Sequence, residues 1–153
     1  MVHERGWPLL LMQIPSSLSV GTVQSFVSAI EHAYTRNERF AVVIDTTAVS
    51  KFPGAPARQI LSDWVGNARR GERERELTVG TALVIASGPL RAFTAAVNLV
   101  RRQTTPQHWT ATVSEAVEWA RKRLVEANVP LTPGSEALYA EMTVRPVRAR
   151  QGA

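Results

Sequence analysis

Apolar and polar positions follow two periods along this chain, and the alternation between them lays out the elements. Residues 7–14 (Trp-Pro-Leu-Leu-Leu-Met-Gln-Ile) form a short, nearly continuous apolar run closed by Pro15, the pattern of a strand covered on both faces. Residues 2–5 are expected to pair with it across Gly6 and to add an antiparallel edge. From Ser19 onward, Val20, Val23, Phe26, Val27, Ile30, Ala33 and Tyr34 recur at intervals of three and four, which places one apolar stripe on a helix. Ser19 stands where a helix cap is needed, and Asn37 where a left-handed residue would end the helix.

Residues 40–44 (Phe-Ala-Val-Val-Ile) are short, apolar and partly β-branched, and predict a buried central strand ending at Asp45. A second helix is expected from Pro56, with Ala57, Ile60, Leu61, Trp64, Val65 and Ala68 facing inward. The run 69–76 (Arg-Arg-Gly-Glu-Arg-Glu-Arg-Glu) interrupts this pattern, is nearly self-neutralising, and reads as a solvated loop. A third strand follows over 79–86, then a turn at Gly88-Pro89 into a helix with Leu90, Phe93, Val97 and Val100 on one side, then a strand over 107–111. Thr112 with Glu115 three residues later has the spacing of a capping box. It announces a helix with Val113, Ala116, Val117, Ala120, Leu124 and Ala127 inward, stopping before Pro130.

This order predicts an α/β fold with a four- to five-stranded, mixed and mostly parallel sheet and about four helices, because parallel strands need helical crossovers. The domain is drawn at residues 1–129, with 130–153 as a Pro-containing basic C-terminal extension bearing Arg145, Arg148 and Arg150 and a short helix over 135–142. Leu138, Tyr139 and Met142 in that extension need a surface to cover, either on the same chain, in a homodimer, or on another protein.

Composition narrows the chemistry. The 153 residues contain no cysteine, which excludes disulfides, thiolate metal sites and thiol nucleophiles, and His3, His32 and His108 are too scattered to suggest a metal cluster. No apolar run approaches the length of a membrane span, and the start Met-Val-His-Glu-Arg is unlike a signal peptide. A cytoplasmic protein without membrane insertion is expected. The net charge of +5 comes almost wholly from arginine, since Lys51 and Lys122 are the only lysines. Net charge speaks first to solubility and nonspecific association. The tryptophans fall in different elements, Trp7 and Trp109 in strands, Trp64 on an apolar helix face and Trp119 at a helix flank, which disfavours a base-stacking platform for nucleic acid. His108, beside Trp109, is expected to pack or face solvent.

In open α/β sheets ligand sites lie beyond the carboxyl ends of the strands. That rule points to residues 45–56, Asp-Thr-Thr-Ala-Val-Ser-Lys-Phe-Pro-Gly-Ala-Pro, which join the central strand to a helix. Asp45, Thr46, Thr47, Ser50 and Lys51 in this loop, with Arg58 and Gln59 on the helix after it, are the candidate partner-binding residues. Two readings compete there. The hydroxyls, Lys51 and a helix N-terminus suit an anion, while Asp45 and the threonines equally suit the satisfaction of turn backbone groups. A hard-cation site is disfavoured, because Val49 occupies the place of a second hydroxyl and Asp63 is the only other aspartate. Glycines fall singly, so neither a dinucleotide fingerprint nor a P-loop is present, and no Gly-x-Ser-x-Gly elbow occurs. No catalytic residue, metal or cofactor is expected.

The stretch Val42-Val43-Ile44-Asp45-Thr46-Thr47-Ala48-Val49, together with His108-Trp109-Thr110-Ala111 and Glu115-Ala116-Val117-Glu118-Trp119-Ala120, resembles the STAS domain and its SpoIIAA-like relatives, the anti-sigma-factor antagonists. The resemblance covers roughly residues 7–127. It implies a module that binds partner proteins, or in some members nucleotides or lipids, without cofactor chemistry. The family places an Asp-Ser-x-Gly-type motif with a phosphorylatable serine at the start of the next helix, whereas Pro53-Gly54-Ala55-Pro56 stands there in this chain. Thr46, Thr47 and Ser50 are displaced substitutes. The resulting expectation is a non-enzymatic regulatory or scaffolding module with a protein partner. A small-molecule or lipid-binding domain is the alternative, and weak nucleic-acid binding through arginine patches, Arg101 and Arg102 among them, a second one.

Overall fold

The computed structural model describes residues 1–85 and 105–144. The expected helix over 90–100, Arg101, Arg102 and the tail arginines lie outside the described residues. The sheet runs β1 (Val2–His3), β2 (Leu9–Gln13), β3 (Phe40–Asp45), β4 (Thr78–Val84) and β5 (Gln107–Thr110). Helices α1 (Val20–Thr35), α2 (Ala55–Gly66), α3 (Ala68–Leu77), α4 (Val113–Glu126) and α5 (Pro133–Thr143) surround it, with a 3-10 turn at Glu4–Gly6. The strands lie side by side in chain order, β1 antiparallel to β2 and the remaining neighbours parallel. This is an α/β fold with a mixed, mostly parallel five-stranded sheet.

Continuous apolar strands follow from burial on both faces. In β2 and β3, Leu9, Leu11, Ala41 and Val43 meet Ala116, Val117, Ala120 and Leu124 of α4 on one face. Leu10, Met12, Phe40 and Val42 meet Ile30, Ala33 and Tyr34 of α1 on the other, joined there by Leu77 and by Trp64 of α2. Because consecutive strands add in one direction, crossovers of one hand lay α1 and then α2–α3 on the same face. The chain leaves β5 to cover the opposite face with α4 and α5.

Local signals hold at several ends. Ser19 Oγ accepts the Thr22 amide at the start of α1, and Asn37 takes the left-handed conformation after it, φ 55°. Thr112 Oγ1 accepts the Glu115 amide, and the Glu115 carboxylate reaches back to the amide of Ala111, one residue before the position a capping box uses. Val20, assigned to the inward stripe of α1, is exposed, because it sits in the first turn beyond the edge of the packed face. Trp7 precedes β2 instead of lying in it and stacks on Phe40. His108 lies against the Trp119 ring, 5.3 Å between centroids. The tight fit of that tryptophan over β4 depends on Gly80, where a Cβ would come within 2.7 Å of the indole.

The expected solvated loop over 69–76 is a helix. Asn67 adopts an extended conformation that ends α2, and its side chain accepts the Arg70 amide to begin α3. The inward face of α3 is built from Arg70, Glu74 and Leu77, spaced four and three apart as a helix requires. Arg70 pairs with Glu74 at 3.1 Å, their side chains only 6% and 5% exposed. The guanidinium lies 4.2 Å over the Trp64 ring of α2, and Thr105, just before β5, donates to Glu74. Tyr34 packs beside this pair. Burial pushes its phenol pKa up, partly offset by the nearby Arg70 charge.

Residues 133–143 form the longer helix α5, in place of a short one over 135–142. Thr132 and Ser135 close a reciprocal cap at its start, and Thr132 Oγ1 also donates to the Trp7 carbonyl. Leu138 is 1% exposed within the α4-side core and lies against Gly6, so this part of the drawn extension covers its own chain. No helix among the described residues is long and apolar enough to cross a membrane.

Candidate functional site

The candidate residues gather at the carboxyl end of β3. Asp45 closes the strand and is buried. Its Oδ1 accepts both the Thr47 amide at 3.0 Å and the Thr47 hydroxyl at 2.7 Å, an aspartate turn formed over two residues. Thr46 faces the other way. Its amide and its hydroxyl both donate to the Val84 carbonyl at the end of β4, 3.0 and 2.6 Å away. Val49 N–H then returns to the Thr46 carbonyl.

The loop is next clamped to the segment that leaves β2. The Ile14 amide donates to the Asp45 carbonyl, the Ser50 amide and hydroxyl both donate to the Ser16 carbonyl, and Ser17 and Lys51 form a parallel bridge. The β2–β3 pairing thus continues past the formal strand ends. Each of these hydroxyls gives its proton to a carbonyl or carboxylate of the scaffold. Thr46 and Ser50 donate to main-chain carbonyls, and Thr47 donates to the carboxylate that its own amide also binds, so these hydrogen bonds hold the shape of the loop.

The side chains of Lys51, Arg58 and Gln59 stand apart from that network, and all three residues are exposed. Arg58 leans its guanidinium toward the Pro53 carbonyl at 3.5 Å, and Gln59 donates to Asp63 one turn along α2. Lys51 and Arg58 form no ion pair among the described residues. The structure therefore divides the seven residues in two. Asp45, Thr46, Thr47 and Ser50 build the platform, and Lys51, Arg58 and Gln59 are presented on it.

Three neighbours were not picked out from the sequence. Ser16 and Ser17 wall the loop from the β2 side, and Phe52 is 53% exposed beside Lys51. Pro15 marked the end of the apolar run in the sequence, but the partner of Ser16 and Ser17 across the strands was not visible there. An apolar groove of about 220 Å³ between β1, β2 and α1 is lined by Met12, Ile14, Pro15 and Phe26, ending two residues from Ser17. A larger cleft, about 470 Å³, opens at the amino end of the strands beside Trp7, Arg39 and Pro130. The Trp7 ring there is already stacked on Phe40 and covered by the Arg36 guanidinium at 4.3 Å, which leaves little of it for a ligand.

No group of three or more His, Asp or Glu side chains able to hold a metal occurs among the described residues. Comparison of the chain with family models, curated proteins and solved structures finds no match.

Proposed function

We propose that this chain is a regulatory or scaffolding protein-interaction module of the STAS/SpoIIAA-like kind, acting without catalysis through the surface formed by residues 46–57 and the exposed side of α2. The observation that carries this reading is the division of labour in the loop. Asp45, Thr46, Thr47 and Ser50 spend their polar groups on fixing the backbone, while Lys51, Arg58 and Gln59 are held outward on that fixed frame. A preordered surface loses less conformational entropy when a partner arrives. The family part of the reading rests on the resemblance of residues 42–49 and 108–120. Pro53-Gly54-Ala55-Pro56 at the helix entry replaces the family's phosphorylatable serine, so the surface is read as permanently presented rather than switched there.

Affinity capture of the tagged chain from its native host at physiological salt tests the reading. A stoichiometric protein should be retained, and the double substitution Lys51→Glu, Arg58→Glu should release it without lowering the melting temperature, because both side chains are exposed. Retention unaffected by the double substitution refutes this surface. A bound lipid or nucleotide with no protein partner refutes the interaction-module reading itself.

A further inference from the structure

We infer that this surface takes an acidic segment of a partner protein that also carries an apolar anchor. The inference rests on the interaction-module reading and adds the chemistry of the partner. Its first support is the distribution of charge. Residues 14–30 contain no charged side chain, and between Asp45, whose Oδ1 takes two hydrogen bonds from Thr47, and Asp63, which accepts from Gln59, the only charged residues are Lys51 and Arg58. Both α1 and α2 begin at this end of the sheet, and neither has an acidic residue in its first turn. Their positive helix ends are therefore not neutralised by the carboxylate usually found there, and add to the two cations.

Carboxylates elsewhere are largely engaged within the molecule. Glu4, Glu74, Glu76, Glu126, Glu136 and Glu141 form ion pairs with arginines. Glu31 and Glu38 accept from Trp64 and Trp7, and Asp63 from Gln59. The stretches 86–104 and 145–153 hold arginines and no carboxylate. Little negative charge is left to answer Lys51 and Arg58 from within the chain.

The second support is apolar. The groove lined by Met12, Ile14, Pro15 and Phe26 begins two residues along the chain from Ser17, the backbone partner of Lys51. An acidic polypeptide with an apolar side chain uses both features. A nucleic acid uses only the cations, and two exposed charges are few against the six to ten phosphate contacts of a typical binder.

The test titrates the isotope-labelled full chain with an acidic peptide of about ten residues, Glu and Asp around a central Leu, chosen as a size able to span one surface patch. Its Gln/Asn analogue and a single-stranded DNA of similar length run alongside. The acidic peptide should shift the amides of Ser16, Ser17, Lys51, Phe52 and Arg58. Lys51→Glu with Arg58→Glu should weaken it by about tenfold, the scale of two exposed ion pairs lost and reversed. The pair Lys51→Ala, Arg58→Ala should weaken it less, and unchanged melting temperatures for both pairs confirm folding. Equal binding of the Gln/Asn analogue overturns the acidic partner while leaving the interaction surface standing. Shifts from neither peptide overturn the inference, and partner capture then judges the module reading separately. Stronger shifts from the DNA overturn it in favour of nucleic acid.

Discussion

Replacing Arg70 by Ala removes one half of an ion pair whose members are 6% and 5% exposed. Glu74 stays in the interior without the arginine that pairs with it, Thr105 still donating to it, and the Trp64 ring loses the guanidinium lying 4.2 Å above it. Breaking a buried pair from one side costs about 3–5 kcal/mol, because the surviving charge stays desolvated after losing a group that offset that cost. For a domain of this size, each kcal/mol lowers the melting temperature by about 2–4 °C, which gives a fall of roughly 6–20 °C. Circular-dichroism melts and urea titrations of Arg70→Ala read it directly. Arg69→Ala is the control, since that neighbour is exposed and should stay within about 0.5 kcal/mol of the parent. The double replacement Arg70→Met, Glu74→Leu should recover most of the loss, because apolar groups of similar volume carry no desolvation penalty. An Arg70→Ala melt that matches Arg69→Ala would refute the buried pair and return 69–76 to a solvated segment.

Three further outcomes are expected. Leu138→Ala should cost about 2–5 kcal/mol, since this side chain is 1% exposed against the α4 layer; a neutral effect in urea unfolding would mean that α5 does not belong to the core. Gly134→Ala should destabilise by about 1–3 kcal/mol through overpacking, because a Cβ there overlaps the Arg5 carbonyl oxygen; a melting temperature at or above the parent's counts against the docking of α5 on the Glu4–Gly6 turn. Tyr34 has a phenol pKa raised above 10.0 by burial, so the stability it lends is complete below the unfolded value and declines as pH rises through the folded one. The melting-temperature gap between the parent and Tyr34→Phe should accordingly narrow as pH rises above about 10, and a constant gap would contradict the burial of that hydroxyl.

Much of the candidate surface was legible because its chemistry is local. An aspartate two residues before a threonine forms its turn within one stretch of chain, so Asp45-Thr46-Thr47 could be read directly as a turn, though its competing use as an anion site was equally open. The roles of Thr46 and Ser50 could not be read. Their acceptors, Val84 and Ser16, lie 38 and 34 residues away, and only pairing of β3 with β4 and β2 brings them near. What distinguishes platform from presented residue is this distant bonding, and no hydroxyl announces it in one dimension.

The same boundary runs through the whole molecule. Periodicity and end signals by themselves determined the strands β2, β3, β4 and β5, the helices α1, α2 and α4, and the mostly parallel α/β arrangement, because they depend on neighbours within one or two turns of chain. Tertiary structure alone decided that Arg70 and Glu74 belong inside. A helix face of charged residues looks solvated until the opposite charges neutralise each other at i and i+4 and Trp64, Tyr34 and Thr105 arrive from separate elements to enclose them. It also decided that α5 folds back onto the chain that made it, because Leu138 finds its apolar surface beside Gly6, more than a hundred residues earlier. Burial is a property of what surrounds a residue in space, and the surroundings here come from parts of the chain that no local window contains.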